Sequence, residues 1–298
     1  MQSLWMVFAS ALFSVMGACV KLASQHYSVA EIVFYRSAIG AVILFAFVRA
    51  SGGSLRTHVP WMHVSRGAVG TLALALWFFA TTVLPLGTAM TLNFSSPLFL
   101  AAFAVLAALL AGRSVRWPLA IAVAAGFVGV VLVLQPSFRA DQAVAGMAGL
   151  VSGVLSAAAY WHVRELGRLG EPEWRTVFYF SLSGVALGLA GTVVTGFSSH
   201  SWRGAALLAA VGITATAAQL AMTRAYGRGR TLLTANLQFS AVVFAALLGE
   251  VVFADRIPTV GYLGIAVIVA SGVLATFVSA RPAHPAPRAP VAEPSTEK

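Results

Sequence analysis

Polar side chains recur at helical spacing within two long apolar stretches of the chain. Asn93, Ser96 and Pro97 stand at i, i+3 and i+4, a spacing that puts them on one face of an α-helix. Pro97 has no amide hydrogen to donate to the carbonyl of Asn93, so a backbone acceptor is left free. Asn236 and Ser240 repeat the pattern in a later stretch. Such groups either bind a polar ligand or hydrogen-bond one helix to another, and both roles stay open.

Arg36 is a basic side chain well within an apolar stretch. A guanidinium in hydrocarbon costs roughly 2.5 to 3.5 kcal/mol on insertion scales, so it has to point toward an acid, carbonyls or water. Glu31 lies five residues earlier and is on a different face of the same predicted helix. Two roles follow for Arg36. It contacts a carboxylate or phosphate of a bound molecule, or it braces the protein by pairing with an acid, for which Glu250 is the candidate.

Other polar or aromatic side chains inside apolar stretches are candidates for the same polar interior. Trp77 offers a flat indole face for stacking a ring or a cation, or it packs in a core. The remaining candidates are Ser14, Ser156 and Gln219. Each of the two serines follows another serine by four residues, a spacing that close helix packing also uses.

The elements that carry these residues are predicted to cross a membrane. Of the 298 residues, 59% are hydrophobic and only 9% are charged, against about 25% charged residues in ordinary globular domains. A spanning helix needs roughly 20 mostly apolar residues. Ten stretches qualify: 2–22, 29–48, 62–83, 87–111, 117–134, 145–165, 174–196, 203–224, 231–253 and 257–279.

The basic residues predict the orientation of these spans. With a cytoplasmic N-terminus, fourteen Lys and Arg residues, Arg66 among them, fall on the cytoplasmic side and four on the outside. Cytoplasmic loops carry such an excess. The chain is therefore predicted to be a multi-pass protein of the cell inner membrane with both termini in the cytoplasm. The net charge is +10, but the basic residues lie in short gaps between apolar runs and not on one face of a helix. Nucleic acid is therefore not an expected partner.

An internal repeat divides the chain into halves. Residues 33–40 match residues 177–184 at five of eight positions, at a spacing of 144. Five spans is an odd number, so the second half must enter the membrane from the opposite side. The predicted fold is all-α: ten transmembrane helices as two inverted five-helix repeats, residues 1–136 and 143–279. Residues 280–298 contain five prolines and are predicted to be a disordered cytoplasmic tail.

Short motifs, in order, resemble the drug/metabolite transporter superfamily, specifically its EamA-domain members with five plus five helices. They are Lys21-Leu22, Glu31 to Arg36, Leu84 to Ala89, Phe94 to Leu98, Phe253 to Pro258 and Gly272 to Leu274. The acidic turn residue of the family is missing from the first half, where Ala111-Gly112-Arg113-Ser114 stands. The resemblance implies a central cavity lined by the first, third, fourth, sixth, eighth and ninth helices.

The function that the resemblance implies is secondary transport of a small organic metabolite by alternating access. The substrate expected is an amino acid or a related zwitterionic or neutral metabolite. The alternative is import of a vitamin or cofactor such as riboflavin or S-adenosylmethionine. The predicted partners are the small-molecule substrate, the lipid bilayer and a second copy of the chain in a homodimer.

Enzyme classes are disfavoured by the residue inventory. The sequence shows no phosphate-binding Gly-x-x-x-x-Gly-Lys loop, no pair of acids at membrane depth and no histidine cluster. Its single cysteine, Cys19, allows no intramolecular disulfide and no cysteine-based metal site. Neither a cofactor, a metal nor a catalytic residue is predicted.

Overall fold

The computed structural model describes residues 2–84, 86–112, 114–115, 117–136, 142–253 and 258–280. Within these ranges the protein consists of helices joined by loops. A short 3₁₀ helix, Gln2–Leu4, comes first. The α-helices are α1 (Trp5–Ala23), α2 (Val29–Ala50), α3 (Pro60–Val83), α4 (Leu86–Asn93), α5 (Ser96–Leu110), α6 (Trp117–Leu134), α7 (Ala143–Arg168), α8 (Glu173–Thr195), α9 (Trp202–Arg228), α10 (Thr231–Leu237), α11 (Ser240–Phe253) and α12 (Thr259–Ala280).

Nine helical segments of the described residues are long and apolar enough to cross a membrane. Their positions correspond to nine of the ten predicted spans. The third predicted span is not among the nine, although a 24-residue helix, α3, occupies its position. Leu110, Val194 and Val251 each expose more than 80% of their surface. Outward-facing apolar side chains on this scale need an apolar surrounding.

The predicted fourth and ninth spans are each two helices in the structure. The fourth is interrupted between α4 and α5 and the ninth between α10 and α11. Both interruptions fall beside the predicted polar stripes. Each of the two segments is still long and apolar enough to cross a membrane as one span.

Several sequence predictions lie outside the described residues. They include most of the predicted disordered tail (281–298), most of the motif at 253–258, Pro85, and Arg113, Arg116, Arg139 and Arg256 of the orientation count.

The starts of four helices follow from the residues that precede or open them. Ser28 caps α2 by accepting a hydrogen bond from the amide of Glu31 at 3.2 Å, and Ser201 caps α9 by accepting from Gly204 at 3.1 Å. Both contacts satisfy an amide that has no partner within its helix. Proline opens α3 at its first position and directly precedes α8, where its fixed φ favours a helix start.

The most extensive helix pairing among the described residues is α2 with α8, and small residues make the close approach possible. The hydroxyl of Ser37 lies where a Cβ on Gly184 would stand, and the side chain of Ser181 lies against Gly40 in the same way. Farther along, the missing side chain of Gly188 makes room for the backbone of Phe34. These residues belong to the repeated stretches 33–40 and 177–184 or lie one turn from them, so the repeat forms the α2–α8 contact. The two helices run antiparallel.

The other extensive pairings also join the two halves of the chain. They are α6 with α12, α1 with α9 and α3 with α7. Buried residues between them include Tyr226, Phe239, Leu100 and Leu119, each at most 2% exposed. The halves are therefore interleaved in one bundle and do not pack as two separate bodies.

A buried acid ties the loops together at one end of the α2–α8 pair. Glu171 accepts hydrogen bonds from Thr57 at 2.7 Å and from Arg175 at 2.9 Å, and its other contact is the His63 ring at 3.2 Å. Burial by itself would raise the pKa of the Glu171 carboxyl, but these contacts outweigh it and the pKa lies below its ordinary value. We call these four residues the Glu171 cluster.

A second buried acid lies at the opposite end of the same helix pair. Glu31, fully buried in the first turn of α2, accepts hydrogen bonds from the amide and the hydroxyl of Ser198, at 3.2 and 2.8 Å. The His200 ring lies 3.3 Å from its other oxygen. This Glu31 cluster fixes the loop between α8 and α9 to the start of α2.

The close approach of α2 and α8 predicts a steric effect at Gly188. A Cβ there would lie 2.5 Å from the backbone nitrogen of Phe34, and backbone cannot rotate away as a side chain can. We expect Gly188→Ala to destabilise the protein by about 1 to 3 kcal/mol, the usual cost of overpacking. Thermal unfolding of the purified protein in detergent measures this.

The matched control is Gly17→Ala on α1. Nothing lies within 4 Å of a Cβ at Gly17, and alanine favours a helix over glycine, so the unfolding midpoint should stay unchanged or rise. Equal behaviour of the two variants would contradict the tight α2–α8 packing.

Candidate functional site

The interior is organised around the two helix interruptions. In the first, Pro97 at the start of α5 cannot donate to the carbonyl of Asn93, and the chain turns at Phe94 and Ser95. In the second there is no proline. The turn is made instead by tighter i to i+3 hydrogen bonds, among them Phe239 to the carbonyl of Asn236 at 3.1 Å. The sequence signalled only the first interruption.

Hydroxyl groups of α1 satisfy backbone carbonyls beside the second interruption. Ser14, a predicted site residue, donates to the carbonyl of Ala241 at 3.0 Å and to that of Ser10 in its own helix at 2.9 Å. Ser10 makes a longer contact of 3.5 Å with the carbonyl of Gln238. These contacts join α1 to α11 and to the turn before it.

The predicted asparagines are hydrogen-bonded between helices. Asn93 donates to the hydroxyl of Ser152 on α7 at 3.2 Å. Asn236, 2% exposed, donates to the carbonyl of Ala122 on α6 at 2.7 Å, and its amide nitrogen is 3.4 Å from Ser271 on α12. Both asparagines thus make the helix-to-helix bonds that were the alternative to ligand binding. The buried Oδ1 of Asn236 has no hydrogen-bond partner.

Gln238, in the second interruption, anchors a group of tyrosines. Its side-chain oxygen accepts from the Tyr226 hydroxyl at 2.6 Å, and its amide is 3.4 Å from the Tyr160 hydroxyl. The two tyrosine rings stack with centroids 5.0 Å apart and planes at 9°. Ser96, fully buried, lies beside Tyr160, although its hydroxyl makes no hydrogen bond of normal geometry.

Arg66 is a buried interior residue that the sequence reasoning missed. It was counted among the cytoplasmic loop residues, but it lies seven residues into α3 with only 3% of its surface exposed. Its guanidinium carbon is 4.2 Å from the ring centroid of Phe180 on α8. The Nε and Nη1 atoms of Arg66 have no hydrogen-bond partner. The signal was available, because the predicted third span already began at residue 62.

Arg36 lines a small cavity between α2, α8 and α9. The other lining residues are Ser37, Val177, Phe180, Ser181, Ala215, Thr216 and Gln219. The cavity has about 10 Å³ of space for the centre of a water molecule, close to the minimum that holds one water. Among the predicted site residues, Arg36 and Gln219 are thus brought to one place.

The proposed ion pair between Arg36 and Glu250 was wrong. Glu250 is exposed on α11 and accepts a hydrogen bond from the Tyr262 hydroxyl of α12 at 2.9 Å. Within the described residues, no carboxylate forms an ion pair with Arg36 or with Arg66. The buried Nε of Arg36 has no hydrogen-bond partner.

The remaining predicted residues lie elsewhere in the bundle. Ser240 donates to the carbonyl of Leu237 in the preceding turn, at 2.7 Å. Trp77 on α3 and Ser156 on α7 are half-buried and do not line the Arg36 cavity. That cavity takes its lining from the second, seventh and eighth predicted spans, so only the eighth is shared with the set that the family resemblance implied. In the described part of the chain, no three His, Cys, Asp or Glu side chains are grouped to hold a metal ion.

The long apolar helices of this chain form a bundle with polar, interrupted segments inside it, and this arrangement identifies a multi-pass membrane protein. Residues 1–135 match the EamA-like transporter family. The chain is 33% identical over 277 residues to the Pseudopaline exporter CntI of Pseudomonas aeruginosa, and the aligned region covers 90% of each chain. The protein belongs to the EamA-like transporter family.

A further relative and a solved structure are also similar to this chain. The Riboflavin transporter of Rhizobium johnstonii is 29% identical over 236 residues, covering 75% of this chain and 74% of the relative. A protein crystal structure superposes with a TM-score of 0.81 over 93% of this chain and 98% of its own, at 21% identity. That likeness shows that the two chains share a fold.

The contacts of Asn236 predict a mainly structural role. Asn236→Ala removes the donor to Ala122 and Ser271, and interhelical hydrogen bonds in membrane proteins contribute about 0.6 kcal/mol on average and up to about 1.7. We expect the unfolding midpoint to fall. Ser240→Ala is the control, because the Ser240 hydroxyl bonds only within its own turn. An Asn236→Ala variant of unchanged stability that has lost transport would instead assign this residue to the ligand.

Proposed function

We propose that this protein is a secondary transporter that carries a small organic metabolite across the cell inner membrane by alternating access. Its ten spans form two inverted five-helix repeats, residues 1–136 and 143–279, with both termini in the cytoplasm. The observation that carries the proposal is that contacts at the two ends of the α2–α8 pair follow the 144-residue spacing of the sequence repeat.

Equivalent positions make equivalent contacts at opposite ends of this helix pair. Glu31 accepts from the hydroxyl of Ser198 at 2.8 Å. Arg175, 144 residues after Glu31, donates to the carbonyl of Ser54 at 2.7 Å, and Ser54 is 144 residues before Ser198. An exchange of the two halves therefore maps one contact onto the other, which supports a two-fold axis through the α2–α8 crossing.

The helix pairings support the same exchange. Swapping the halves maps α2–α8 and α6–α12 onto themselves, and it maps α1–α9 onto α7–α3. These are the four most extensive pairings among the described residues. The two interrupted spans also exchange with each other, as broken helices do in many inverted-repeat transporters.

This symmetry supplies two related conformations. The Glu31 cluster and the Glu171 cluster hold opposite ends of the α2–α8 pair. Releasing one cluster while the other is kept would open the interior to one side only. In an inverted repeat the two conformations differ mainly in which half adopts which arrangement, and that is the structural basis of alternating access.

The expected substrate is an amino acid or a related zwitterionic or neutral metabolite. Transport of a vitamin is the second candidate, favoured by the similarity to a riboflavin transporter. One relative is named an exporter, so the direction of net transport is a matter for measurement. The homodimer expected from the sequence remains a prediction.

Carrier activity predicts counterflow. In proteoliposomes preloaded with an unlabelled metabolite, the same labelled metabolite added outside should accumulate transiently, because an alternating-access protein exchanges one bound molecule for another. Labelled amino acids and riboflavin are the first probes, and liposomes without protein are the control. Steady ion currents in a planar bilayer, or chemical conversion of the probe, would contradict secondary transport.

The proposed topology predicts the location of fused reporters. Reporters placed after Arg116 and after Lys298 should be active in the cytoplasm, because four and ten spans precede them. A reporter placed after Gln142 should be active outside, because five spans precede it. Cytoplasmic activity of the reporter after Gln142 would exclude the inverted repeat. Outside activity of the reporter after Lys298 alone would contradict only the prediction that the last span crosses the membrane.

A further inference from the structure

Two arginine side chains reach into the interior of the bundle, and neither pairs with an acid of the described residues. Arg36 comes from α2 and Arg66 from α3. Arg66 contacts the Phe180 ring of α8, and Arg36 lines a cavity with the same residue. No ion pair joins either of them to a carboxylate of the described residues. Two like charges held together in a poorly hydrated space repel each other, and each also loses its hydration.

Phe180 of α8 is the residue that both arginines have as a neighbour. The guanidinium of Arg66 is above its ring at 4.2 Å, and the same ring lines the cavity with Arg36. The ring face attracts a cation but offers no hydrogen-bond acceptor to the N–H groups. Three buried nitrogens, Nε of Arg36 and Nε and Nη1 of Arg66, remain without a partner.

The second half of the chain does not repeat these charges. The position 144 residues after Arg36 is Phe180, and the position 144 residues after Arg66 is Ala210. The equivalent sites in the second half are therefore uncharged, so a purely structural brace would be missing from one half. Buried polar groups that lack partners in a folded protein call for an explanation, such as an absent ligand.

We propose that Arg36 and Arg66 together hold an anionic oxygen group, a carboxylate or a phosphate, of the transported metabolite. This inference rests on the proposed transport function and names its substrate class. Guanidinium groups bind such anions through two parallel hydrogen bonds, and an anion between them would remove their mutual repulsion. Gln219 and Thr216 line the cavity with Arg36 and are candidates to bind the remaining polar atoms of the metabolite.

The cavity is too small for a metabolite in this conformation. The α2–α8 contact and the α9 wall must therefore move apart before the substrate enters. An anion that bridges α2 and α3 would favour the conformation in which both arginines reach it. Binding and closure would thus be coupled.

The first test measures counterflow of the metabolite that the wild-type protein exchanges. Arg36→Lys and Arg66→Lys keep the charge but lose the planar fork, and we expect the apparent KM to rise about 10- to 100-fold, as for the loss of a charged hydrogen bond. An analogue with its carboxylate amidated, or its phosphate removed, should not exchange. The two analogues distinguish a carboxylate from a phosphate.

The matched control is Arg224→Lys. Arg224 lies 5.1 Å from the Trp5 ring centroid, much as Arg66 lies over Phe180, but its Nε already donates to Gln2 at 2.9 Å. Its KM should be unchanged. Equal exchange of the charged and uncharged analogues, or an unchanged KM in both arginine variants, would overturn the inference while leaving transport itself intact.

The second test needs no ligand. If Arg36 awaits an anion, Arg36→Gln removes a repelling charge, and the ligand-free protein should unfold at the same temperature or higher. If Arg36 is a structural brace, the unfolding midpoint should fall, which would overturn the inference. This test also decides the matter if no metabolite is exchanged and the transport proposal fails.

Discussion

The close antiparallel contact between α2 and α8 is the constraint on which the rest of the structure depends. Because Gly40 and Gly184 have no side chains, those of Ser181 and Ser37 can pack against them. Lipid provides no hydrophobic force between helices, so such close packing is what holds the spans together. Because the contact joins the halves at their centre, the flanking helices must interleave around it. The other pairings then follow from the same arrangement.

Backbone satisfaction is the second constraint, and it explains the serines. Interrupting a helix within a membrane leaves carbonyls without partners, which is tolerated only where protein groups replace them. The Ser240 hydroxyl donates to the carbonyl of Leu237 at the end of α10, where such a partner is missing. Ser10 and Ser14 add contacts from α1 to the carbonyls of Gln238 and Ala241, so these two serines join α1 to the second interruption.

The sequence predicted the elements better than the site. Long apolar stretches define spans because lipid demands them, and the repeat at 33–40 and 177–184 identified the central helix pair. The second interruption escaped because it has no proline and depends on tertiary hydrogen bonds to Gln238. The partner of Arg36 was also mistaken. Pairing Arg36 with Glu250 required knowing which ends of α2 and α11 meet, and one-dimensional spacing does not contain that information.

Positions 144 residues apart carry different residues at several places, and these differences give the interior its chemistry. Glu31 and Arg175 occupy equivalent positions with opposite charge, so the two ends of the helix pair are held by different ionic contacts. The pair Arg36 and Phe180 shows the same principle at the centre. One half supplies a cation and the other the ring that receives Arg66. A duplicated frame can provide two equivalent conformations, but a binding site for one asymmetric molecule needs residues that break the equivalence.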